Sequence, residues 1–276
     1  MKTTVSLIER SKAAMQQESD YELARAAVPS GIKTLEGFYV GFPENVRLRA
    51  LLAEAVCQYG AGFLQDDWEA AVLDGDGEQA NRVRASARRI LARCINYGLL
   101  LLDPMWAEAL WDDPPSLARL VAGAGRDEVA GMFWVGLGLA SLAGMDPENP
   151  VLAARLTLAE GLLLRVAELD SGFSDGLADM SLGILYSARS AAVGGNPAQG
   201  KRHFARARRI TGGKSLMVEV MYARYYAVTT RDRALFRDAL MRVLRTPPSI
   251  WPENRLSNEM AQRKARRYLA HERRWF

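Results

Sequence analysis

The chain has 276 residues, 49% of them hydrophobic and 25% charged. These values exclude a disordered or collagen-like chain and leave one large globular domain, two small ones or a stacked array. Residues 1–198 hold 17 lysines and arginines against 26 acids, and residues 199–276 hold 19 against 6, so a net −9 body carries a net +13 end; such asymmetry suggests a polar assembly or an anionic partner.

Apolar residues recur with helical spacing throughout, and no stretch sustains the period-2 alternation of a strand, so the expected class is all-α. Helices are expected at about 4–18, 20–28, 31–39, 44–59, 61–72, 78–102, 104–111, 115–122, 127–144, 149–169, 173–191, 197–211, 215–229, 232–245 and 253–273. Turn signals separate them: Pro29-Ser30-Gly31, Gly41-Phe42-Pro43, Asp74-Gly75-Asp76-Gly77, Asp113-Pro114-Pro115, Asp146-Pro147, Gly194-Gly195-Asn196-Pro197, Gly212-Gly213 and Pro247-Pro248. Pro147 and Pro197 suit helix starts, Asp127, Asn149 and Asp232 suit N-caps, and Gly212-Gly213 suits a left-handed C-cap.

The lengths suggest antiparallel hairpins of the TPR type, stacked into a compact superhelical array. Gly183 and Tyr186, then Phe204 and Ala207, match the TPR spacing best, while the loop 191–197 is longer than a TPR turn. The expected organisation is a single TPR-like domain over 1–276: N-terminal helices at 1–43, degenerate pairs at 44–246 and a capping helix at 247–276. No apolar run approaches the roughly 18 residues of a membrane span, and the first 20 residues lack the apolar core of a signal peptide. Cys57 and Cys94 read as small buried hydrophobes; a bridge between them requires Cα atoms within about 7 Å.

Three features of residues 172–270 carry a family resemblance. One is Leu182-Gly183, Tyr186 and Arg189 followed by Gly194-Gly195-Asn196-Pro197. Another is His203-Phe204 and Ala207 ahead of Ser215. The third is Val220, Tyr222-Ala223-Arg224-Tyr225-Tyr226-Ala227-Val228, Asp232, Leu235-Phe236, then Asn258, Ala261-Gln262 and Ala265. This segment resembles the T component (TatT family) of TPR-protein-associated TRAP transporters, with weaker motifs upstream. The resemblance implies an exported lipoprotein, periplasmic and anchored by a segment that the sequence does not show ahead of Met1. It also implies a homotrimer, a substrate-binding P component as partner, and an apolar cleft or pore for a hydrophobic small-molecule ligand.

No catalytic, cofactor or metal constellation emerges. The two histidines, His203 and His271, are isolated, and His203 reads as structural or surface. Asp74-Gly75-Asp76-Gly77-Glu78 lacks the glycine and glutamate of a calcium loop, and Gly136-Leu137-Gly138 reads as a helix-packing face rather than a nucleotide loop. Tyr222, Tyr225 and Tyr226 share one helix face with Arg224 beside them, and Tyr186 and Arg189 form an i, i+3 pair. Such aromatic bodies with polar tips suit core packing or a ligand cleft, where an arginine receives a carboxylate. Asn258 and Gln262 stripe the last helix and either line that cleft or cap the array. The basic tail around Arg263, Arg266 and Arg273 reads as neutralising the acidic body, not as a nucleic-acid site. A rival reading is a TPR adaptor that holds an extended peptide in its concave groove.

Overall fold

The computed structural model describes residues 2–146 and 149–276, without the side chains of residues 2–5 and 7. In chain order the helices are α1 (Lys2–Gln16), α2 (Tyr21–Gly41), α3 (Val46–Gln58), α4 (Gln65–Asp74), α5 (Gly77–Leu99), α6 (Met105–Asp112) and α7 (Pro114–Gly123). They continue as α8 (Val129–Gly144), α9 (Pro150–Leu169), α10 (Leu177–Ala188), α11 (Pro197–Ile210), α12 (Leu216–Met221), α13 (Arg233–Arg245) and α14 (Arg255–Ala270). The protein is all-α: no strand occurs among the described residues. The chain divides into two compact units, Met1–Arg25 with Ser174–Phe276, and Ala26–Phe173.

Asn and Asp side chains start many of these helices by accepting an otherwise orphaned N–H. Asn45 takes Leu48 N, Asp76 takes Gln79 N, Asn149 takes Val151 N, Asn196 takes Gln199 N and Asp232 takes Leu235 N. Asp127 does not cap α8: a 3₁₀ turn at Arg126–Glu128 precedes that helix, and Glu128 reaches back to Gly125 N. Pro197 opens α11, and Gly212 and Gly213 adopt φ of +58° and +74°. The expectation for Pro147 lies outside the described residues.

Two expected breaks are absent. α2 runs straight through Pro29. A proline removes the bond its N–H would give to the carbonyl four residues back, and a glycine costs about 1 kcal/mol in a helix; neither ends α2, whose Arg25, at that position, is exposed. The helical run from α3 to α4 is also unbroken, because a π-helical turn at Tyr59–Leu64 joins them. A second π-helical turn, Tyr222–Ala227, extends α12.

In the unit Ala26–Phe173, α5 lies between α3 and α8, and α9 covers the far side of α8. Glycines let these helices close up. A Cβ on Gly138 would meet Ile95 Cγ1 at 2.7 Å, and one on Gly98 would meet Val135 at 3.0 Å. The close packing of α3 on α5 brings Cys57 and Cys94 to a Cα separation of 4.7 Å, and they form a disulfide with both residues fully buried. Arg49 joins two turns by donating to Pro43 O at 2.6 Å and Leu100 O at 3.3 Å.

In the other unit, α10 and α11 form a hairpin against the π-helical turn, α12 and α13 pack with α14, and α1 lies on α14. Three successive left-handed residues, Ser174, Asp175 and Gly176, lead into α10. Asn254 Nδ2 donates to Asp175 Oδ2 at 2.8 Å and holds this turn.

The C-terminal tail closes the same unit. Trp275 and Phe276 pack on Phe236, and Arg231 Nη1 donates to Trp275 O. Glu272 accepts from Arg237 Nη2 at 2.8 Å and from Arg233 Nε at 2.7 Å, which pulls its carboxyl down to about 2. Because the folded value is depressed, this contribution to stability is complete above about 4.5 and fades as pH falls toward 2. Thermal melts should therefore show Glu272→Gln less stable than the parent at pH 6, with the gap closing by pH 2. A gap that stays constant with pH would mean the carboxylate charge is not what the arginines hold.

Candidate functional site

The candidate residues all lie in the unit built around α10–α14, and α11 organises most of them. Phe204 is the pivot. It is fully buried, fills the space that Gly183 leaves open on α10, and meets Tyr222 edge-on at 5.6 Å. Ring and glycine fit as a pair: a Cβ on Gly183 would come within 2.9 Å of the Phe204 ring.

On one side of Phe204 lies Tyr186, buried and stacked on the His203 imidazole at 5.5 Å and 15°. Arg189 folds back over the Tyr186 ring at 5.6 Å and donates to Leu185 O. His203 Nδ1 lies 2.7 Å from Asp179 Oδ1, and Arg206 Nε lies 3.5 Å from the same oxygen. Asp179 is completely buried, so these partners offset the desolvation of its charge. His203 thus has a buried structural role.

On the other side, the π-helical turn sets Tyr222 and Tyr226 face to face. Its i→i+5 bonding widens the turn and brings side chains four apart nearly into line; the two rings stack at 4.8 Å and 7°. Arg208 covers the Tyr222 ring at 5.3 Å and Lys201 the Tyr226 ring at 5.7 Å. Burial raises the Tyr222 phenol above its ordinary range, and Tyr226 adds to the effect. The hydrogen bond to Glu219 raises Arg208, which stays charged.

Arg224 and Tyr225 point elsewhere. The Arg224 guanidinium lies 5.1 Å from the Tyr225 ring and 4.5 Å from that of Trp275, which ties the π-helical turn to the C-terminal tail. Asn258 is fully buried. Its Oδ1 accepts from Leu216 N at 2.9 Å, and its Nδ2 donates to Lys214 O and Pro248 O. Gln262 donates to Val243 O and Thr246 O and accepts from Arg266. Both amides hold α14 against neighbouring turns.

The structure therefore gathers Tyr186, Arg189, Tyr222 and Tyr226 around α11 and leaves Arg224, Tyr225, Asn258 and Gln262 in other contacts. Sequence reasoning missed Asp179, Lys201, Arg208 and Glu219. The i, i+3, i+7 spacing of Lys201, Phe204 and Arg208 along α11 was the available signal.

The geometry joins aromatic bodies with cations at their rims on an all-α frame, and no group of three or more His, Cys, Asp or Glu is arranged for a metal among the described residues. The family model for the TRAP transporter T component (TAtT) matches residues 17–276, and the chain belongs to that family. It is a transporter accessory component rather than an enzyme family. A protein of Treponema pallidum (strain Nichols), described as uncharacterized, is 24% identical over 259 residues, covering 92% of this chain and 80% of the relative. No helix among the described residues is long and apolar enough to cross a membrane.

Proposed function

We propose that the chain is a periplasmic T component that assembles as a trimer, binds the substrate-binding P component of its TRAP transporter, and offers an apolar cleft to a hydrophobic ligand. The family match over 17–276 carries this reading. The disulfide supports the compartment, since such bonds persist in oxidising environments. An anchoring lipid on a precursor segment belongs to the same proposal. The helix pairs α8/α9 and α10/α11 are read as degenerate TPR-like hairpins of one functional domain over 1–276.

For the ligand, Tyr186, Arg189, Tyr222 and Tyr226 are the proposed contacts, with Arg189 facing a carboxylate. Asn258 and Gln262 are assigned instead to holding the terminal helix, and Arg224 and Tyr225 to the C-terminal tail. Sedimentation of the purified chain with its P component at tens of micromolar should give a complex, with light scattering giving a trimer for the chain alone. Independent migration of the two proteins removes the partner claim, and a monomer removes the trimer.

A further inference from the structure

A continuous strip of side chains crosses α11, the π-helical turn, α12 and α13. It starts at exposed Lys201, whose ammonium covers Tyr226, passes to stacked Tyr222, then to Arg208 over the Tyr222 ring. From there Arg208 pairs with Glu219, and Glu219 accepts from Arg242 Nη2 at 3.3 Å. Arg242 opens onto a surface depression of about 410 Å³ lined by Asp238, Met241, Arg245 and Thr246.

Glu219 is buried and takes one N–H from each arginine, Nε of Arg208 and Nη2 of Arg242. A guanidinium has five donors in a fixed fork, so both retain N–H groups for further acceptors. The Arg208 and Arg242 side chains are 38% and 60% exposed, yet Glu219 already holds them in place. Much of the entropy lost when such a side chain meets a partner has thus been lost on folding. Tyr222 is buried beneath the strip, and among the described residues nothing hydrogen-bonds the hydroxyl of half-buried Tyr226. Pinned arginines beside a tyrosine with a free hydroxyl are of the residue types that dominate protein–protein contacts.

We infer that this strip docks an acidic face of the P component; the inference rests on the proposed identity of that partner. Four cations, Lys201, Arg208, Arg242 and Arg245, stand against Glu219, exposed Asp238 and exposed Asp232, whose charge reaches Tyr222. The three interspersed acids disfavour a uniform polyanion and favour a surface with carboxylates at fixed positions. The bidentate fit of guanidinium to carboxylate supplies the register.

The test is calorimetric titration of the full-length chain with the P component, at low and at high salt. The Lys201→Glu, Arg245→Glu double variant changes two exposed side chains without disturbing the Glu219 pairs. It should bind about 30-fold more weakly at low salt, the difference shrinking as salt rises. Tyr226→Phe, which removes only a hydroxyl, should weaken binding a few-fold. A control with the same charge change elsewhere, Arg82→Glu with Arg89→Glu, should bind within about twofold of the parent. Parent-like binding by the strip variant overturns this inference and leaves the P component as partner. Absence of binding by the parent removes both. Loss of binding to phosphatidylglycerol vesicles, with P-component binding intact, assigns the strip to lipid and also overturns the inference.

Discussion

Replacing Cys57 and Cys94 with serine should lower stability by about 4 kcal/mol, the chain-entropy value for a sequence separation of 37. For a unit of this size that corresponds to a fall of roughly 10 °C in the melting temperature of the Ala26–Phe173 layer. The location adds a kinetic expectation. Both cysteines are fully buried, beneath the contact of α8 with α5. Dithiothreitol in native buffer should therefore reduce the bond slowly, at a rate set by opening, and rapidly in denaturant. Thermal melts of the double variant and a time course of thiol labelling would measure the two effects. Fast reduction of the native protein would mean that the sulfurs are reachable without opening, and an unchanged melt would mean that α3 and α5 hold their pairing unaided.

Phe204→Ala should cost about 4 kcal/mol, the usual range for a buried aromatic truncated in a core, because the ring is the common surface of α10, α11 and the π-helical turn. Its sharpest reading comes from Gly183. Gly183→Ala alone should destabilise by about 1–2 kcal/mol, since the new methyl falls within 2.9 Å of the ring and outweighs the better helix propensity of alanine. Once Phe204 is alanine, the same substitution meets open space and should stabilise by up to about 1 kcal/mol. A double-mutant cycle by urea denaturation would show this reversal of sign. Additive effects would mean that α10 and α11 are not fitted to each other at this point. Tyr186 and Tyr222 both rest on this hairpin, so the variant should also loosen the candidate ligand residues.

Helix identity was readable because apolar spacing and Asx caps are local properties. Asn149 and Asp232 announced α9 and α13 through the hydrogen bonds they make. The failures share a cause: they depend on what lies across the chain or on backbone bonding that spacing does not encode. Pro29 resembled a break, yet whether a proline ends a helix depends on whether its lost bond can be met by water. The run from Tyr59 to Leu64 resembled a joint between two helices, and a wider turn bridges it instead. The disulfide could not be called from two cysteines in separate helices, because it depends on how closely α3 and α5 pack, which spacing along the chain does not encode. For the site, the shared face of Tyr222 and Tyr226 was legible from spacing. The divergence of Arg224 toward Trp275, and the engagement of Asn258 with three backbone groups, required the fold.

The two π-helical turns have a consequence for the rotation of the helices beyond them. One residue added to an ordinary helix swings everything beyond it by about 100° and would carry the following side chains off their contacts. A wider turn absorbs the extra residue on the spot and leaves the downstream face where it was. Tyr59–Leu64 and Tyr222–Ala227 each hold their surplus residue in this way, and in each the swelling brings two aromatic rings alongside each other.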